Sequence, residues 1–344
     1  MTPEPTPAAD LALVLTGGGA RGAYQVGLLR CLARHFPDLR IPIITGVSAG
    51  AVNAAQLASH HGTFPQAVTE LAALWAELTP ERVFRVDAGS LGGGLGRWLL
   101  RLVSGGTLGT AHVKSLVDTS PLREYLEETL AAVRGVLTGI DYNLERGVLK
   151  AVALSATNYT TGQSTVFVHG RDVQEWRRPQ RVAVRTRMRV DHVMASAALP
   201  IFFPAVRIDD AYYGDGGIRA TAPLSPAMHL GARRILAVST RFHRSQQQAD
   251  APAVTGYPPP AQVVGVLMNA VFLDMIDQDM QTMERINRLI ERMPPHQRGD
   301  VRPVHLLAVR PSQDLARLAS RYEPHLPRAF RYLTRGLGTR ETGS

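Results

Sequence analysis

Short unbroken apolar runs, each followed by glycine and then by an apolar residue at every third or fourth position, open this chain. Leu11–Thr16 is the first, with the pattern of a strand buried on both faces. Gly17-Gly18-Gly19-Ala20-Arg21-Gly22 follows, and Ala23–Phe36 then has helical spacing through Val26, Leu29, Leu32 and Ala33. Ile41–Thr45 is the second run. Gly46-Val47-Ser48-Ala49-Gly50 follows it and leads into a small-residue helical stretch. Two strand–helix units so early in the chain predict a parallel sheet covered by helices.

Further elements follow the same logic. Pro65–Leu78 is amphipathic through Val68, Leu71, Leu74, Trp75 and Leu78. Ser120 and Pro121 read as the N-cap and first residue of a helix whose apolar face is Leu122, Tyr125, Leu126 and Leu130. Val148–Ala153, Thr165–Val168, Ile235–Val238 and Val304–Val309 read as strands, with a turn at Thr161-Gly162. Arg181–Val190 alternates between apolar residues and Arg181, Arg185, Arg187 and Arg189, which predicts a strand with one basic, solvated face. Four arginines there are also one candidate contact for phospholipid headgroups. Asp191–Leu199 reads as a helix stopped by Pro200, and Ile201–Pro204 as an extended apolar wall. Gln262–Met293 and Asp314–Leu337 are helical, and the proline-rich Arg244–Pro260 is a loop. Ala88–Thr110 hangs an apolar segment, Trp98–Val103, between glycine clusters. It reads either as a lid or membrane-touching flap or as a core helix with loose connections.

Composition adds limits rather than a function. The 344 residues, 45% hydrophobic and 19% charged, suit one large α/β domain. The single cysteine, Cys31, excludes an internal disulfide and a cysteine metal cage, fits a reducing compartment, and is expected in the core. The net charge is +9, and lysine occurs only at Lys114 and Lys150, so the other basic residues are all arginine. Guanidinium forks suit phosphate, but these arginines are spread along the chain, as a compositional bias would leave them. Met1–Asp10 is acidic and proline-rich without the apolar centre of a signal peptide. No stretch holds ~18 consecutive apolar residues, so the expectation is a cytoplasmic protein that at most rests on the inner face of a membrane.

The candidate chemistry centres on Gly46–Gly50. Strand, sharp turn with serine, then helix is the nucleophile elbow, and it makes Ser48 the candidate nucleophile. A serine hydroxyl needs a base. His192, His229, His243, His305 and His325 follow it, yet none sits in a glycine-rich turn, and His305 reads as a core residue of its strand. Asp215 does, within Gly214-Asp215-Gly216-Gly217. Its carboxylate can take the Ser48 proton if burial makes it basic enough; an ordinary Asp-Gly turn is the competing reading. The N–H groups of Gly17, Gly18 and Gly19 are candidates for an oxyanion hole, with Arg21 supplying charge or an ion pair that holds the loop. The same loop formally matches a dinucleotide fingerprint through Gly17, Gly19 and Gly22, but the acidic residue expected after the second strand is missing.

In order, Gly17–Gly22, Gly46–Gly50, Ala195-Ser196-Ala197-Ala198-Leu199-Pro200 with Phe202-Phe203-Pro204, and Asp215-Gly216-Gly217 resemble the patatin-like phospholipase family across Leu11–Thr240. The resemblance implies a three-layer α/β/α fold with a mainly parallel central sheet and a catalytic Ser48–Asp215 dyad. It implies an oxyanion hole at Gly17, Gly18 and Gly19, supported by Arg21, Gly22, Gly46, Gly50, Gly216 and Gly217. The implied activity is metal- and cofactor-free hydrolysis of lipid acyl esters. Trp98, Leu99, Phe202 and Phe203 are the candidate acyl-chain wall. One departure is local: family members often carry Asn a few residues after the Asp motif, and here the run is Ile218-Arg219-Ala220-Thr221-Ala222-Pro223. The expected organisation is a tail at 1–10, a patatin-like catalytic domain at 11–240, a loop at 241–261 and a mainly helical extension at 262–344 packed on that domain. The alternatives are a Ser-His-Asp esterase and a non-catalytic lipid- or membrane-binding protein. A lipid substrate and an anionic membrane surface are the expected partners, with no nucleic acid.

Overall fold

The structure, a computed structural model, describes residues 10–85, 115, 117–200, 202–219, 223–250, 257–258, 263, 266, 275–299, 301–320 and 322. The expected tail before Asp10, the glycine-flanked segment with Trp98 and Leu99, Ile201 and the run 220–222 lie outside these residues. So do most of 251–274 and 321–344.

Among the described residues ten strands form one sheet: β1 (Leu11–Leu15), β2 (Ile43–Val47), β3 (Ala151–Asn158), β4 (Ser164–Gly170), β5 (Arg177–Arg178), β6 (Arg181–Arg185), β7 (Val206–Ile208), β8 (Ala211–Asp215), β9 (Arg234–Val238) and β10 (His305–Val309). Their order is β10-β9-β1-β2-β3-β4-β6-β5, with β8 added to the end of β3 and β7 to β8. The run from β10 to β3 is parallel throughout. β3 and β4 form an antiparallel hairpin, and its turn places Gly162 at φ 71.

The apolar runs are unbroken because both sheet faces are covered. Leu13, Leu15, Ile44, Val152 and Leu154 pack on one side with α1 (Gly22–His35), α2 (Ala49–Ser59) and α3 (Phe64–Glu77), through Leu29, Ala51, Ala54 and Leu71. The intervening Ala12, Val14, Ile43, Ala151 and Ala153 pack on the other side with Leu224, Ala227, Ile276 and Met283. This is the three-layer α/β/α arrangement. Each fully buried leucine contributes about 1.5–3 kcal/mol, so the middle strands anchor the fold. Thr63 starts α3 with a capping box to Gln66.

Several boundaries shift for local reasons. The helix Ser120–Thr129 has Thr119, not Ser120, as its N-cap, because the Asp118 carboxylate already accepts from both the N–H (2.9 Å) and the hydroxyl (2.6 Å) of Ser120. β3 begins at Ala151, since Lys150 and Ala151 donate to Pro42 at the head of β2. The alternating run 181–190 is a strand only to Arg185, where its pairing with β4 ends; Val190 opens the helix Val190–Ser196. Two of its arginines are paired: Arg187 with Asp141 (2.7 Å) and Arg189 with Asp191 (3.3 Å).

Two side chains sit where the sequence reading did not expect them. Cys31 is exposed, because the buried stripe of α1 runs through Val26, Leu29 and Ala33 and leaves position 31 outside; its Sγ lies 3.7 Å from His35 Nδ1. His305 is exposed because β10 is an edge strand, paired among the described residues only with β9. That strand and the helix Met275–Arg292 join this part of the chain to the sheet and its covering layer. Asp277 receives Arg241 (2.7 Å) and Arg310 (2.6 Å), and Asp279 accepts the Leu224 N–H (2.9 Å). No described helix is long and apolar enough to cross a membrane.

Candidate active site

β2 passes into α2 with a single residue between them. That residue is Ser48, at φ 56 and ψ −129. Such a backbone is close to glycine-only territory and costs about 1–3 kcal/mol. The glycines on either side are required by close approach rather than by torsion. A Cβ on Gly50 would meet the carbonyl oxygens of Leu15 and Thr16, and one on Gly46 the carbonyl of Gly50. Ser48 is held by its own N–H, which donates to Ser196 Oγ (3.1 Å); that hydroxyl donates onward to the Ser155 carbonyl (2.6 Å). Ser196 belongs to the Ala195–Pro200 motif, so the motif was visible in sequence but its task was not.

Register brings the aspartate to the serine. Val47 lies beside Ser155 in the β2–β3 pairing, and Ala156 lies beside Asp215 in the antiparallel β3–β8 pairing. Ser48 Oγ donates to Asp215 Oδ2 at 2.6 Å. Oδ1 accepts the Gly217 N–H (2.7 Å), the Asp215 N–H donates to Ala198 O (2.9 Å), and the Asp215 carbonyl accepts from Thr157 Oγ1 (2.8 Å). Asp215 is thus braced without the Asn absent from the following run. Gly216 is fixed by space, since a Cβ there would meet the Ser155 carbonyl. The carboxyl is fully buried, and burial pushes it up to about 7, while the hydrogen bonds from Ser48 and Gly217 pull the other way. A residue that would be a weak base in water thereby gains proton affinity near neutrality.

The glycine loop leaves β1 next to the elbow. A Cβ on Gly17 would lie 3.0 Å from Ser48 Cβ and 3.7 Å from its Oγ. Gly18 (φ 148) and Gly19 (φ 57) adopt backbones that side chains disfavour. The Gly18 carbonyl accepts the Arg21 N–H at 3.2 Å, and no described acceptor takes the N–H groups of Gly17, Gly18 or Gly19. Burial lowers the Arg21 pKa, opposed by the charge of Asp314.

A buried polar chain behind this loop was not anticipated. Gln25 Nε2 donates to the Thr16 carbonyl (2.7 Å), Asn53 Nδ2 to Gln25 Oε1 (2.9 Å), and Trp75 Nε1 to Asn53 Oδ1 (2.7 Å). The available signal was amides, Gln25, Asn53 and Gln56, inside two otherwise apolar helix faces.

No described histidine hydrogen-bonds to Ser48 or Asp215. His192 is packed on Phe167 (4.5 Å between ring centres) and accepts the Arg189 N–H, and burial lowers its pKa to about 4. His229 stacks on Trp176 (4.4 Å), and His169 faces Asp141 (3.1 Å). Phe203 leans on Phe84 (6.3 Å), while Phe202 is exposed; Trp98 and Leu99 lie outside the described residues. A cleft of about 400 Å³ opens at the amino end of β2, lined by Arg40, Ile41, Leu57, His60 and Phe64, at the far end from Ser48. Among the described residues, no group of His, Cys, Asp and Glu is arranged to hold a metal ion.

Three comparisons bear on this arrangement. A cGAMP-activated phospholipase from Pseudomonas aeruginosa (strain BWHPSA011 / Pa011) is 31% identical over 222 residues, which is 61% of this chain and 53% of that protein. The chain therefore spans about half the length of that curated relative. Among solved structures, VipD from Legionella pneumophila is 15% identical, with 88% of this chain and 61% of that chain covered and a TM-score of 0.40. Human GIVD cytosolic phospholipase A2, in complex with a fluorophosphonate inhibitor, is 17% identical, with 74% and 46% covered and a TM-score of 0.36. The model of the patatin-like phospholipase family matches residues 13–228, which include the glycine loop, the elbow and Asp215. The chain belongs to the patatin-like phospholipase family.

Proposed function

We propose that this chain is a serine hydrolase of lipid acyl esters, with Ser48 as nucleophile and Asp215 as its base. The observation that carries the reading is the 2.6 Å hydrogen bond from Ser48 Oγ to a fully buried carboxyl whose pKa is raised to about 7. Ser48 Oγ attacks the ester carbonyl carbon as its proton passes to Asp215. The carbonyl π pair moves onto oxygen, and the N–H groups of Gly17–Gly19 receive the negative charge; one such donor is worth about 3 kcal/mol in a transition state. The tetrahedral adduct collapses, the C–O bond to the alcohol breaks, and Asp215 returns the proton to the leaving oxygen. Water then attacks the acyl-enzyme, giving its proton to Asp215. Collapse releases the fatty acid, and the proton goes back to Ser48.

The test is a fluorophosphonate probe and a panel of phospholipid, lysophospholipid and neutral ester substrates, run on wild type and Ser48→Ala. Because the Pseudomonas aeruginosa relative is named for activation by cGAMP, every arm is run with and without that nucleotide. Labelling and turnover lost only in Ser48→Ala are expected. Folded wild-type protein that neither labels nor turns over any ester, in either arm, overturns the proposal.

A further inference from the structure

The chain after β9 turns back onto the glycine loop, and this contact lies beyond residues 13–228, the stretch matched by the family model. Thr240 is almost completely buried. Its Oγ1 donates to the Gly17 carbonyl at 2.6 Å, and its N–H reaches Thr16 Oγ1 at 3.3 Å. The Thr16 hydroxyl is itself directed to the Val238 carbonyl (3.2 Å), at 3.5 Å from the Gly17 oxygen. The fit is close: a Cβ on Gly18 would collide with Thr240 Oγ1.

This contact controls a peptide plane. In a trans peptide the carbonyl of Gly17 and the N–H of Gly18 point in opposite directions. Holding the carbonyl against Thr240, just past β9, therefore turns the Gly18 N–H away from Thr240. A glycine–glycine link has no Cβ to resist rotation of that plane. Rotated, it would present an oxygen where the reaction develops negative charge, and a donor would be lost. The Arg21 N–H fixes the next carbonyl, Gly18, in the same way. The Gly17–Gly18 plane has the Thr240 hydroxyl as its closest hydrogen-bond donor.

We infer that Thr240 is a positioning residue for the oxyanion-binding loop, selecting the orientation of the Gly17–Gly18 peptide that offers the Gly18 N–H to the substrate oxygen. The inference rests on the serine hydrolase reading above. Its test compares wild type with Thr240→Val, which keeps the shape and removes the donor, and Thr240→Ser, which restores the hydroxyl. Each is measured for ester kcat and KM, for the rate of fluorophosphonate labelling at Ser48, and for thermal unfolding.

Thr240→Val is expected to lower kcat and the labelling rate about tenfold with KM within about twofold, the scale of one hydrogen bond. Thr240→Ser is expected within about threefold of wild type. Equal kcat in wild type and folded Thr240→Val overturns the inference, as does a loss in Thr240→Val that Thr240→Ser fails to restore. Where Thr240→Val does not fold, the comparison passes to Thr240→Ala and Thr240→Ser at a temperature where both are folded, with the same criteria. Wild-type protein without activity or labelling sinks the hydrolase reading itself, a result distinct from active wild type with an indifferent Thr240→Val.

Discussion

Replacing Asp215 by Asn tests catalysis and stability together. The substitution is nearly isosteric: the amide oxygen can keep the Gly217 N–H that Oδ1 accepts, and the amide nitrogen faces Ser48 Oγ. It removes the proposed base and also a buried charge. In the folded chain the carboxyl titrates at about 7 against an ordinary 3.8, so the native state keeps a proton that the unfolded chain has lost between those values. Unfolding free energy therefore falls as pH rises through that window and is level above it. A tenfold change in proton affinity is worth about 1.4 kcal/mol, so at pH 8 the ionised group costs up to about 4 kcal/mol that Asn does not. Denaturant unfolding of wild type and Asp215→Asn at pH 4.5 and pH 8 is expected to show the variant gaining stability relative to wild type at the higher pH.

The kinetic side uses the same group in the opposite sense, because in the proposed mechanism only the carboxylate accepts the Ser48 proton. Labelling and kcat/KM should rise with pH, reaching about one-tenth of maximum at pH 6, half near pH 7 and nine-tenths at pH 8. Asp215→Asn should lose several orders of magnitude. Wild-type rates that are flat from pH 5 to 9, or a stability difference that does not change with pH, would refute the reasoning.

The remaining expectations concern what holds the site. Ser196→Ala strands the Ser48 N–H and the Ser155 carbonyl, and should lower stability by about 1–3 kcal/mol and slow labelling of Ser48; an unchanged melting curve would contradict this. Gly50→Ala drives a methyl into the Leu15 and Thr16 carbonyls and should cost about 3 kcal/mol or more, read as a large fall in denaturant midpoint. Asp277→Ala removes the carboxylate shared by Arg241 and Arg310. It should loosen the helix Met275–Arg292, seen as faster proteolysis there, with a difference from wild type that narrows at high salt.

The sequence by itself determined a good deal. Unbroken apolar runs at Leu11–Thr16 and Ile41–Thr45 specified buried parallel strands, because only a sheet covered on both faces has no polar side. Glycines around Ser48 specified a turn too crowded for a Cβ, and those around Asp215 a backbone packed just as closely. Exposure was not legible: Cys31 and His305 sit in apolar patterns yet face outward, because helix rotation and a place at the sheet edge are settled by neighbours far along the chain.

The sequence could name Ser48 and Asp215 as partners, but only the tertiary structure brings them, 167 positions apart, to hydrogen-bond distance and buries the carboxyl so that its pKa rises. It also set the hydroxyls of Ser196, Thr157 and Thr240 against Ser48, Asp215 and Gly17. The reason is physical: spacing and side-chain type act locally, whereas desolvation and hydrogen-bond geometry depend on which strand lies beside which. That adjacency is fixed only when β3 receives β8 and β1 receives β9.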